Sequence, residues 1–179
     1  ATSHTTDART IAPINIYRCG NGRCGEESTF ATTAFRSVGI PTRQIYTPRW
    51  PHCDDNHAWV EVWCDGDWHY LGACEPEAVL DKGWFTNAAS RAMMIGSRWY
   101  DRAMPDEKVI GKDGMNRIIN LLGKYAKTRW ITITVEDLDG TPAAGAKVRA
   151  EVMNYGEFSP IAIMEADKNG CISFETGFG

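Results

Sequence analysis

RCGEESTFATTAFRSVGIPTR at residues 23–43, followed after a loop by HAWVEVWCDGDWHYL at residues 57–71, is the stretch that decides the fold. In the first segment Phe30, Ala31, Ala34, Phe35 and Val38 recur at helical spacing and form one apolar stripe, so residues 26–38 read as an amphipathic helix. Glu26 and Glu27 lie in its first turn, where the helix dipole favours acidic groups. Gly39 supplies a C-terminal cap and Pro41 ends the helix. Cys24 therefore stands at the helix's N-terminal edge. Arg43–Tyr46 reads as a short strand. In the second segment His57–Trp63 reads as a strand, Asp65-Gly66 as a two-residue hairpin turn, and Trp68–Cys74 as the returning strand. With that turn Cys64 faces Asp67, Trp63 faces Trp68, Trp59 faces Gly72 and His57 faces Cys74.

Working outward, residues 1–13 are polar and read as an irregular arm, and residues 86–100 read as a helix. Pro105, Gly111 and Gly114 mark a linker at 105–115. Beyond it, Trp130–Glu136, Ala146–Val152, Ile161–Met164 and Cys171–Phe174 read as strands, while residues 116–127 fit either a helix or the opening of a sheet. The expected organisation is a core at 1–104, the linker, and a partial β-sandwich at 116–179, because an Ig-like sandwich needs about seven strands and only four or five are visible. Such a tail points to further domains of a longer chain. The start at Ala1, with no charged-then-apolar leader before it, reads as a processed or excised piece.

Composition narrows the function. Apolar residues are 43% and charged residues 23%, which is ordinary for a globular protein. No apolar run approaches the roughly 18 residues a membrane span needs. A net charge of −4 argues against nucleic acid as a partner. The six cysteines leave disulfides, buried thiols and catalysis open. His52, Cys53, His57, Cys64 and Cys74 have zinc-ligand chemistry, but no CxxC or HxxxH spacing appears, so neither metal nor cofactor is expected.

Position singles out one thiol. A cysteine nucleophile needs a thiolate, a nearby imidazole and donors for an oxyanion. A helix N-terminus favours the thiolate, and the Cys24 backbone N–H is a ready oxyanion donor. His57 opens a strand whose residues His57, Trp59, Glu61 and Trp63 share one face, which could bring an imidazole to the thiol beneath indole cover. Trp50, in the loop before His57, and Trp59 are the candidate substrate-binding aromatics.

These residues also carry a resemblance. Arg23-Cys-Gly-Glu26, the run from Cys24 to Gly39 with Ile-Pro-Thr-Arg43, then His57-Ala-Trp-Val-Glu61 and Trp68-His-Tyr-Leu71 resemble the transglutaminase-like superfamily. Arg-Cys-Gly-Glu and Cys74-Glu75 are similar to its peptide N-glycanase branch, and Gly72-Ala-Cys-Glu-Pro-Glu77 with Gly83-Trp-Phe85 to a bacterial group read as cysteine proteases. The resemblance implies an α+β, papain-like core, with the Cys helix packed on an antiparallel sheet and a Cys, His and Asp triad. The family's Asp falls here at Gly72. Glu75 is the nearest replacement if the chain bends at Cys74–Pro76, with Asp54, Asp55 and Asn56 as alternatives. Glu61 is excluded, since four strand residues separate it from His57 by about 13 Å.

The expected function is acyl transfer through a thioester on a peptide, protein or glycopeptide, with Cys24 as nucleophile, His57 as base and Glu75 as orienting group. Hydrolysis is favoured. The alternatives are a transglutaminase that accepts an amine, and a non-catalytic binding module with a degenerate triad. The tail resembles small sandwich modules of bacterial surface and secreted proteins, which implies a secreted, periplasmic or cell-surface location.

Overall fold

The computed structural model describes residues 12–73, 75–100 and 108–179. The chain divides into two compact units, residues 1–46 with 57–86 and residues 47–56 with 87–179. Of the expected N-terminal arm, residues 1–11 lie outside the described residues, and Pro13 already opens a helix.

In the first unit, α1 (Pro13–Cys19) precedes α2 (Cys24–Ser37), and the two pack together with Tyr17 stacked on Phe30 at 6.3 Å. Proline suits the first position of α1, where its missing N–H would have no helical acceptor. Three strands follow: β1 (Thr42–Thr47), β2 (His57–Cys64) and β3 (Asp67–Leu71), hydrogen-bonded in the order β3-β2-β1. The hairpin register is the expected one, with Trp63 opposite Trp68 and Cys64 opposite Asp67. Asp65 and Gly66 both have positive φ, at 51° and 87°, as the favoured two-residue hairpin turn requires. The ladder stops at Val60 opposite Leu71, so Gly72 is outside the strand and does not pair with Trp59. Cys74, expected opposite His57, lies outside the described residues.

Ala58 to Val62 are all buried, so β2 is covered on both faces. Helix α2 packs against it. Inside this unit sits an ion pair. Arg43 Nε donates to Glu61 Oε2 at 2.6 Å and Arg43 Nη2 lies 2.5 Å from the same oxygen, with the Glu61 side chain 0% exposed. The guanidinium also lies 4.1 Å from the Trp68 ring centroid, a cation–π contact that covers its flat face.

The second unit holds a short helix that opens at its boundary, α3 (Thr86–Ala89), followed by β4 (Gly96–Trp99), β5 (Val109–Asp113) and β6 (Asn116–Asn120). The helix expected over 86–100 is thus only one turn long. Its apolar residues Met94 and Ile95 run into β4, which pairs antiparallel with β6, and that ladder outweighs helical periodicity. Val109–Asp113, expected as linker, pairs with β6, and Gly114 at φ 58° turns the hairpin. Pairing with both neighbours also decides residues 116–120 as strand.

The remaining strands are β7 (Thr128–Thr134), β8 (Lys147–Asn154), β9 (Glu157–Glu165) and β10 (Cys171–Gly177). They form two antiparallel pairs, β10 with β7 and β8 with β9. Ile172, Phe174 and Thr176 alternate inward along β10. Ile172 and Phe174 share a core with Val152, Ile161, Met164 and Ile110. Asn154, fully buried at the end of β8, donates from Nδ2 to the carbonyls of Trp50 at 3.0 Å, Cys53 at 2.9 Å and Asp55 at 3.4 Å. The Tyr155 N–H adds a bond to Asp54 Oδ1 at 2.6 Å. The loop of residues 47–56 is therefore held by the β8–β9 turn, and Asp55 takes a strained φ of 154° within it.

Removing one member of a buried ion pair strands the other charge without a partner. Glu61→Ala is expected to lower unfolding stability by about 3–5 kcal/mol. Urea denaturation of Glu61→Ala, Arg43→Ala and the double variant checks this, and the double variant should cost less than the sum of the singles.

Candidate functional site

Cys24 is the first residue of α2, half-buried, and all five described cysteines are reduced thiols. The first turn of α2 is held by a chain of side-chain bonds. Glu26, itself buried, accepts the Arg23 backbone N–H at 2.7 Å, the carboxylate half of a capping box. Ser28, fully buried, donates to the Cys24 carbonyl at 2.6 Å. Gln44 on β1 donates from Nε2 to Ser28 Oγ at 2.8 Å and to the Gly25 carbonyl at 2.9 Å. The strand next to β2 thereby fixes the helix end that carries the thiol. Gln44 and Ser28 are positioning groups the sequence reading passed over. Their signal was present, since a serine four residues after a helix start can reach back to its carbonyl.

His57 opens β2 and is half-buried. Its ring lies in an aromatic cluster: 5.7 Å from Trp59, 4.7 Å from Trp84 and 4.9 Å from Phe85, centroid to centroid. Phe85 in turn contacts Trp59 at 4.8 Å and Tyr70 at 5.8 Å. Trp84 and Phe85 were absent from the expected site, because they come from a segment with no periodicity to read.

That segment, residues 72–85, is a strap tied back to β3. The Asp81 N–H donates to the Tyr70 carbonyl at 2.9 Å, and Asp81 Oδ1 accepts the Tyr70 N–H at 3.0 Å. Asp81 Oδ2 also lies 2.6 Å from His69 Nδ1. Near its end the Gly83 N–H donates to Thr86 Oγ1 at 3.0 Å, and the Tyr70 hydroxyl pairs with the same oxygen at 3.0 Å. Glycine is required at 83, since a Cβ there would meet the Phe85 ring at 2.6 Å.

Glu75, the expected orienting carboxylate, is exposed on the strap. The chain bends sharply before it: a Cβ on Gly72 would stand 2.9 Å from the Glu75 carbonyl oxygen.

Both expected substrate aromatics are buried, Trp59 at 0% exposure and Trp50 at 3%. Trp59 packs against His57 and Phe85, whereas Trp50 belongs to the second unit and lies 5.6 Å from the His52 ring. Burial first, and the Arg91 charge second, hold the His52 pKa below its ordinary value. Among the described residues no three His, Cys, Asp or Glu side chains converge as a metal cluster. An apolar groove of about 430 Å³ in the first unit is lined by Phe35, Ile40, Val62, Trp63 and Leu80, with neither Cys24 nor His57 in its wall.

The bend at Gly72 gives a test. Gly72→Asp restores the family's residue type, but its Cβ collides with the Glu75 backbone, so the variant is expected to lose about 1–3 kcal/mol of stability. Thermal unfolding measures the loss. Alkylation of Cys24 in the same variant is expected to show no gain in rate.

No curated protein and no solved structure matches the chain. Glu75 and Trp84 lie beyond the segment that the family match covers. Across residues 2–73, which hold both Cys24 and His57, the chain matches the family model of the transglutaminase-like superfamily, whose chemistry is cysteine-based acyl transfer.

Proposed function

We propose that this chain is a cysteine hydrolase acting on peptide or side-chain amides through a thioester. The observation that carries the reading is the placement of a half-buried thiol at the first residue of α2, with that helix packed on the strand that His57 opens. The family match over the same residues supports it. The first turn of α2 presents backbone N–H groups that no helical carbonyl accepts, which favour an anionic sulfur and an oxyanion.

The reaction runs in two halves. The Cys24 thiolate attacks the amide carbonyl carbon, forming the C–S bond, and the oxyanion is met by the Cys24 N–H. The C–N bond breaks as the His57 imidazolium delivers its proton to the leaving amine. Neutral His57 then takes a proton from water, whose oxygen attacks the thioester. Collapse releases the carboxylic acid and returns the thiolate and imidazolium. Glu75 accepts a hydrogen bond from the other ring nitrogen of His57 and fixes its tautomer, a role that requires the chain to turn its carboxylate back toward the ring. The aromatic cluster limits water around the ring, which strengthens the charge interactions there.

The test begins with the thiol. At pH 6 iodoacetamide should label Cys24 about tenfold faster than the exposed Cys53, and His57→Ala should abolish that advantage. In a peptide library the wild type should release new amino termini or ammonia, and Cys24→Ala should release none. Incorporation of a labelled amine without hydrolysis would replace the hydrolase with a transamidase. A Cys24 no more reactive than Cys53, together with no turnover, would remove both.

A further inference from the structure

Trp84 is the largest side chain on the strap, and its two sides meet different surroundings. One side touches the His57 ring at 4.7 Å and stands edge-on to Phe85 at 5.9 Å and 89°. The other side faces solvent, leaving the residue 60% exposed. Phe85, its neighbour in sequence, is 0% exposed and belongs to the core.

The exposure is enforced. Gly83 has no side chain because Phe85 occupies that space, and Thr86 holds both polar groups of Gly83: its Oγ1 accepts the Gly83 N–H and its own N–H donates to the Gly83 carbonyl, each at 3.0 Å. Asp81, at φ 59°, ties the strap to β3 three residues earlier. An indole held in this way loses little further freedom when a ligand covers it, so most of its buried area counts toward binding. Val79 and Leu80 are exposed at 61% and 43% on the same strap. Its charges are mixed: Glu75 and Glu77 are exposed, and Lys82 Nζ lies 3.9 Å from Glu77 Oε2.

We propose that Trp84 determines substrate specificity: it forms the wall beside His57 against which a large apolar side chain of the acyl-donor peptide packs, next to the carbonyl that Cys24 attacks. The inference rests on the reading of Cys24 and His57 as nucleophile and base. It adds a substrate class to that reading. Aromatic and branched aliphatic side chains gain contact with the exposed indole, whereas an acidic side chain must shed water against an uncharged ring and gains least.

The test uses the full chain and four acetyl-dipeptide acyloxymethyl ketones, with Phe, Leu, Gly or Glu beside the reactive ketone. The rate of label appearing on Cys24 is read by mass spectrometry. Wild type is expected to react about tenfold faster with the Phe and Leu probes than with the Gly probe, and slowest with Glu. Trp84→Ala should bring the Phe-to-Gly ratio to near unity, and Trp84→Phe should retain most of it. Each ratio is taken within one variant, so a general loss of reactivity cancels, and circular dichroism checks that both variants fold. Equal rates for the Phe and Gly probes in wild type, or a ratio that survives Trp84→Ala, overturns the assignment while leaving Cys24 as nucleophile. A Cys24 that reacts with neither iodoacetamide nor any ketone overturns the acyl-transfer reading, and this inference with it.

Discussion

Arg43 and Glu61 place opposite charges side by side in the interior of the first unit, and much of that unit is arranged around the cost of doing so. Taking either ion from water costs several kcal/mol, recovered only with close geometry and further partners. The pairing sets β1 against β2 so that the two side chains meet, and it calls Trp68 across from β3 to cover the guanidinium. A one-residue slip would turn Glu61 to the opposite face and leave both charges unmatched. Gln44 follows Arg43 in the chain, so the register that satisfies the ion pair also aims Gln44 at the first turn of α2. The position of the candidate nucleophile thus depends on a contact made by the neighbouring residue of the same strand.

Around His57 the dominant chemistry is aromatic rather than ionic. Trp59 and Phe85 supply buried cover and Trp84 an exposed flank. Rings at such distances exclude water without adding charge. That arrangement suits the proton-exchanging role proposed for His57.

What could be read from the residues alone follows how local the cause was. Helix α2 and the β2–β3 hairpin were legible because their signals are contained within them: an apolar stripe, a proline stop and an Asp-Gly turn whose positive φ values admit one register. The positions of Cys24 at the start of α2 and His57 at the start of β2 were legible for the same reason. The span 86–100 was misread because Ala92, Met93, Ile95 and Trp99 fall partly on one helical face, while β6, which captures Gly96–Trp99, lies about twenty residues further on. Gly111 and Gly114 read as linker for want of the knowledge that their flanks pair. Trp84 was read only as part of the Gly83-Trp-Phe85 run and not placed at the site, because its position comes from Asp81, Gly83 and Thr86 acting together, and no periodicity announces a strap. Trp50 and Trp59 were offered as ligand contacts on residue type, which does not distinguish a buried indole from an exposed one.

The hold of Asn154 on the carbonyls of Trp50, Cys53 and Asp55 spans as much as 104 residues of chain. A ribosome adding residues at roughly 5–20 per second would expose the loop leading into His57 on the order of 5–20 s before it makes the asparagine that secures it. Throughout that interval the strained turn at Asp55 has only its local bonds, from the Trp50 N–H to its carbonyl and from the Asn56 N–H to its side chain. The nascent chain can carry its thiol and imidazole for seconds before the segment entering β2 acquires its final shape.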